Sequence, residues 1–136
     1  MNHTETAKAL AAAASYDSRT VGKADVVSWQ KVLSDCTLRD VIQAIDDHYR
    51  ATDERATHSA IRARVVEIRG ARLAGLDYGV LTGDVHFDHP DWVKILQARV
   101  AAVRDGASIP DAIRAIPPDP TKQAAALAAD PAWVAR

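Results

Sequence analysis

Sulfur chemistry is almost missing from this chain: Cys36 is the one cysteine among 136 residues. That excludes an intrachain disulfide and any zinc site built from several thiolates, and it agrees with a reducing compartment. With no histidine or asparagine motif beside it, Cys36 reads as a small buried hydrophobe. An excess of one charge is missing too. Seventeen Lys and Arg stand against 18 Asp and Glu, a formal net charge of −1, so neither a polybasic nucleic-acid coat nor a polyacidic mimic fits, and any electrostatic function must be local. No apolar run approaches the roughly 20 residues that cross a bilayer. The start Met1-Asn2-His3-Thr4-Glu5 is not the basic start of a signal peptide, and residues 9–14 are too short and too weakly apolar for its core. A cytoplasmic protein with no membrane partner is expected. Also absent are a Gly-x-Ser-x-Gly elbow, a Cys-His-Asn set and a Gly-x-x-x-x-Gly-Lys loop. No enzymatic activity and no cofactor are expected.

Helix is what the chain has in abundance. Alanine dominates its apolar residues and favours helix, while aromatics, at 5%, leave the core to Val, Ile and Leu around three Trp anchors. A first helix is predicted from about Thr4 to Tyr16, with either Asn2 and Glu5 at capping-box spacing or Thr4 itself accepting the free N–H groups at its start. A second runs from about Lys23 to Ser34 and carries Val26, Trp29, Val32 and Leu33 on one face. Thr37 and Asp40 announce a third, whose Leu38, Val41, Ile42, Ile45 and Tyr49 form a clear stripe. The fourth, about Ser59 to Leu73, turns Ile61, Val65 and Ile68 inward and stops at Gly75. Short connections make these helices antiparallel neighbours, so residues 1–75 are expected to close as a small four-helix bundle of the all-α class.

From residue 76 the texture changes. Residues 76–88, with two glycines and several β-branched or aromatic side chains, read as a loop with a short strand or hairpin. Pro90 then opens a helix, about 90–105, that stops at Gly106. Pro110 to Ile116 suggests one or two further turns. Beyond Pro117, Pro118 and Pro120 lies an Ala-rich tail, expected to be mobile in isolation. Residues 76–136 are thus expected to be an extension with one principal helix, and Trp92, Ile95, Trp133 and Val134 are its candidate anchors for a partner.

Two groups of residues are candidates for chemistry. Residues 84–91 hold two His and three Asp, and His86-Phe87-Asp88-His89 resembles the second half of the motif that opens the metallo-β-lactamase metal site, with Asp84 where its first His would stand. His86, Asp88 and His89 are therefore metal candidates. Against them, the chain lacks the alternating strands and helices of that fold, and helix capping and turn formation account for the same residues. The second group is basic: Arg55, Arg62, Arg64, Arg69 and Arg72, with Arg62 and Arg69 seven apart on one helix face. Guanidinium forks suit phosphates or an acidic protein patch, and internal ion pairs would use them equally well. Direct DNA binding by this fourth helix is one alternative. As a helix-turn-helix it would need a turn of about three to four residues, and residues 50–58 are longer.

The stretch from Tyr16 through Asp17, Arg19 and Gly22 to Trp29, followed by Leu33, Leu38, Ala44 and His48-Tyr49-Arg50, resembles small replication proteins of actinobacterial phages. More distantly it resembles the helicase loader/inhibitor family of phage replisome organizers. The resemblance covers about residues 4–75; it departs at the fourth helix, where Arg55-Ala56-Thr57-His58-Ser59-Ala60 has no proline. It implies a helical N-terminal domain and a less ordered C-terminal part that engages a hexameric replicative helicase in the host cytoplasm, loading or inhibiting it.

Overall fold

In a computed structural model, residues 1–130 are described, and among them the backbone forms eight helices and no strand. They group into two compact units that divide between Ala71 and Arg72, four residues before the boundary expected at Gly75.

In the first unit, α1 (His3–Asp17) starts at the predicted capping box. Asn2 Oδ1 accepts the Glu5 N–H at 2.8 Å, and Glu5 Oε1 accepts that of Asn2 at 3.1 Å. It ends at Ser18, which takes the left-handed conformation (φ 57°) and donates its N–H to the Ala14 carbonyl. α2 (Lys23–Leu33) begins at Gly22, whose N–H is accepted by Asp25. α3 (Leu38–Ala51) begins at Thr37, whose Oγ1 accepts the Asp40 N–H at 3.2 Å. α4 (His58–Leu73) follows Thr57, which plays the same part for Ala60. α1 packs on both α2 and α3. Leu10, Trp29, Leu33, Val41, Ile45, Ile61 and Val65 are buried together, and each large apolar side chain so buried contributes about 1.5–3 kcal/mol.

The second unit has more structure than one helix and a tail. The region expected as a strand or hairpin is instead capped by Asp77, whose Oδ1 accepts the N–H groups of Gly79 and Val80, and forms the single helical turn α5 (Tyr78–Leu81). α6 (Trp92–Arg104) is the principal helix, and α7 (Ile109–Ala115) and α8 (Pro120–Ala129) follow. α5 and α7 both pack on α6. Leu81, Val103 and Ala112 form the buried centre, with Leu73, Leu76, Leu96, Val100, Ile109 and Ile113 around it. Gly75 (φ 71°) and Gly106 (φ 111°) hold left-handed backbone at the ends of α4 and α6, a conformation that costs glycine nothing. The Ala-rich segment is helical because Asp119 caps it, accepting the N–H groups of Thr121 and Lys122, and Pro120 takes its first position.

At the centre of this unit lies Arg99, fully buried on α6. It grips Asp84 with both ends of its guanidinium (2.5 and 2.9 Å) and donates to the carbonyls of Leu81 (2.8 Å) and Ile116 (2.7 Å). One side chain thereby ties together α6, the end of α5, the following loop and the end of α7.

Candidate interaction surface

The arginines of α4 do not form a free basic stripe. Arg62 is bidentate on Asp35, at 2.6 and 3.0 Å, and donates to the Val32 carbonyl at 2.8 Å. Arg69, buried, reaches the same carboxylate at 3.3 Å and also donates to the Asp35 carbonyl. The Arg62 guanidinium, helped by Arg69, holds the Asp35 carboxyl well below the usual carboxylate range. Two cations at the C-terminal end of α2 also suit its dipole. Arg72 belongs to the second unit, where it donates to the Arg104 carbonyl at the end of α6. Arg55 is exposed and Arg64 half-buried. Of the five candidates, the structure thus brings Arg62 and Arg69 together on Asp35, an exposed acid of the same unit.

The metal candidates are used differently from what the motif suggested. His86 and His89 are buried, and each accepts a backbone N–H at Nδ1, from Asp88 (3.1 Å) and Asp91 (3.0 Å). Asp88 is exposed. Among the described residues no group of three or more His, Cys, Asp or Glu is placed to hold a metal. Asp84 pairs with Arg99, and Asp91 with Lys122 at 2.7 Å. The sequence spacing is right for ligands, but the turns point Nδ1 of each ring at a backbone amide.

Several residues of the Tyr16–Arg50 pattern meet in the first unit. Arg19, its side chain 5% exposed, donates from Nε to both oxygens of Asp17 (3.0 Å) and from Nη2 to the Ala56 carbonyl (2.8 Å), and lies 5.4 Å over the Trp29 ring. Tyr49 donates to Asp17 and accepts the Ala56 N–H at 3.0 Å. Tyr16 stacks on Tyr49, with centroids 4.7 Å apart. Arg19, with Tyr49, pulls the Asp17 carboxyl well below its ordinary range. His48 Nε2 is 2.7 Å from the Glu54 carbonyl. This pattern therefore joins the α1–α2 turn to the end of α3 and the approach to α4.

The open surface lies elsewhere, on α6. Its inner face carries Ile95, Arg99 and Val103, all buried. Ile95 is core and is not available as a partner anchor; Trp92 is half-buried, and Trp133 and Val134 lie outside the described residues. The opposite side carries Val93, Gln97, Val100 and Arg104, at i, i+4, i+7 and i+11, one helical stripe in which Val93 and Gln97 are exposed while Arg104 and Val100, at the edge of the buried cluster, are half-buried. Val93 is 57% exposed, and Tyr78 of α5 is 56% exposed. Between these helices runs an open groove of about 370 Å³, lined by Leu73, Tyr78, Leu96, Gln97, Val100 and Arg104. Sequence reading missed this face because it looks for one apolar stripe per helix, while α6 also carries Val93 and Val100 away from its buried Ile95. The available signal was that only Lys94, Gln97, Arg99 and Arg104 interrupt its apolar residues, and a helix apolar nearly all round is one that has something on every side.

No helix among the described residues is long and apolar enough to cross a membrane. The chain matches no protein family, and no curated protein or solved structure is significantly similar to it.

Proposed function

We propose that this chain is a non-enzymatic adaptor that binds a protein partner through the α5–α6 face of its second unit. The observation that carries this is the outer stripe of α6. A helix lying along a groove presents apolar residues at i, i+3 or i+4, and i+7, and Val93 and Val100, seven apart with Gln97 between them, offer two apolar contacts at that spacing. The groove volume accommodates a few anchoring side chains, in the range typical of binding clefts. Lys94, exposed beside Val93, favours a partner helix with an acidic residue beside its apolar face.

The identity of the partner rests on the resemblance of residues 4–75. On that ground we assign it as an amphipathic helix of a hexameric replicative helicase, which the adaptor loads or inhibits during phage or prophage DNA replication in a bacterial cytoplasm. Direct DNA binding is the competing reading, and the commitment of Arg62 and Arg69 to Asp35 counts against it.

Size-exclusion chromatography with light scattering, using the full chain and bacterial replicative helicase with and without nucleotide, tests the assignment. Co-elution is expected for the native protein, with affinity falling at least about tenfold for Val93→Glu/Gln97→Glu, a pair of exposed positions. Failure of the native protein to co-elute removes the helicase. Duplex binding that weakens steeply with salt, reduced by Arg55→Ala/Arg64→Ala, would replace the adaptor with a DNA-binding regulator.

A further inference from the structure

The side of α4 turned away from the buried Ile61 and Val65 carries Ser59, Ala63, Val66, Glu67 and Gly70, all exposed. Ala63, Val66 and Gly70 stand at i, i+3 and i+7, with Ser59 one turn before them, so they follow one line of the helix surface. A helix face in water ordinarily carries several charges, and Glu67 is the one charge here. Val66 is 53% exposed, more than any other large apolar side chain of the first unit. Glycine inside a helix costs stability relative to alanine, and a Cβ at Gly70 would meet nothing within 4 Å. No neighbour within the chain requires a glycine there; its bare backbone is open to close approach from outside.

Arg64 and Glu67, three residues apart, share one flank of this face. They are also the two charges of α4 without an ion pair or side-chain hydrogen bond among the described residues. Arg62 and Arg69 are spent on Asp35, and Arg72 on the Arg104 carbonyl. Two antiparallel helices set like flanks against each other. When Val66 lies beside Val66 of a second copy, Ala63 falls between Val66 and Gly70 of that copy, and Arg64 comes opposite its Glu67. The two-fold axis repeats every contact. One register thus gives two ion pairs and a seam of small side chains that lets the helix axes approach closely.

We propose that α4 is a self-association surface, on which a second copy of this chain docks antiparallel to form a two-fold dimer. The 16 residues of α4 make about 24 Å of helix. One helix pair of that length falls short of the roughly 1,200 Å² at which standard interfaces begin, so the dimer is weak and concentration-dependent. The face assigned above to a partner helix lies on α5 and α6, so this proposal and the adaptor reading fail separately.

Sedimentation velocity of the full chain at low salt, from about 10 µM to 1 mM, is expected to show a reversible dimer and no larger species. Gly70→Leu adds a side chain for which the single chain has room and which holds two backbones apart. Dimer affinity is expected to fall by about tenfold or more, while the melting temperature measured at low concentration holds or rises. Arg64→Glu and Glu67→Arg each set like charges together and are expected to weaken the dimer comparably. The double exchange Arg64→Glu/Glu67→Arg is expected to restore the native affinity to within about threefold. A monomer over the whole range, a dimer indifferent to Gly70→Leu, or a double exchange no tighter than the single ones overturns the proposal.

Discussion

Replacing Arg99 by methionine tests whether the second unit is organised by one buried guanidinium. Arg99 is fully buried, and each of its N–H groups is used: Nη1 on Asp84 and Leu81, Nη2 on Asp84 and Ile116, and Nε on Ile116 at 3.1 Å. Methionine fills much of the volume but donates nothing. Asp84, its side chain 40% exposed, regains water and limits the loss on its side. The carbonyls of Leu81 and Ile116 are left without their donor, at about 1–3 kcal/mol each where water does not reach them. Together with the broken ion pair this comes to about 3–5 kcal/mol, the usual cost of removing one partner from a buried pair. Urea denaturation followed by amide exchange separates the units: protection of α6 and α7 is expected to collapse while that of α3 holds. Arg99→Lys is expected to recover little, because one ammonium does not span a carboxylate and two carbonyls in the way a planar fork does. A loss under about 1 kcal/mol for Arg99→Met, within the range of ordinary surface substitutions, would refute the argument.

Tyr49→Phe removes the hydroxyl that bridges Asp17 and the Ala56 N–H, and chemical denaturation should show a loss of about 1–3 kcal/mol from the first unit. The same unit should weaken in acid. Arg19 lowers the titration of Asp17 and Arg62 that of Asp35, so the unfolded chain takes up their protons first. The stability these carboxylates contribute is complete above their ordinary range near pH 4 and is lost as pH falls toward their depressed folded values. Urea midpoints measured from pH 7 to 3 should therefore decline for the native chain, decline less for Asp17→Asn, and decline least for Asp17→Asn/Asp35→Asn. A midpoint independent of pH in the native chain would show that the two pairs add nothing.

Helix starts and stops were legible because they are local. The Asn2 and Glu5 capping box, the Thr37 cap and the glycine stops at Gly75 and Gly106 each involve residues a few positions apart, and the structure places them as read. α5 escaped because four residues are too few to show a period, and its one cue was the Asp77 cap. α8 was read as tail because an alanine-rich segment shows no apolar stripe; its ties to residues 84–91 come through Gln123, 37 and 39 positions from its partners.

The all-α class and the position of most helices were thus decided by the sequence alone, through capping, propensity and the 3.6-residue period. Which face of each helix is spent internally was decided only by tertiary structure. Periodicity puts Arg62 and Arg69 on one side of α4 but does not reveal that Asp35, 27 and 34 residues away, waits there. It marks Val93 and Ile95 alike as apolar residues of α6, and the burial of Arg99 against the ends of α5 and α7 determines that Ile95 turns inward and Val93 outward. Charges and apolar side chains acquire their roles from partners distant in sequence, and no local pattern encodes those partners.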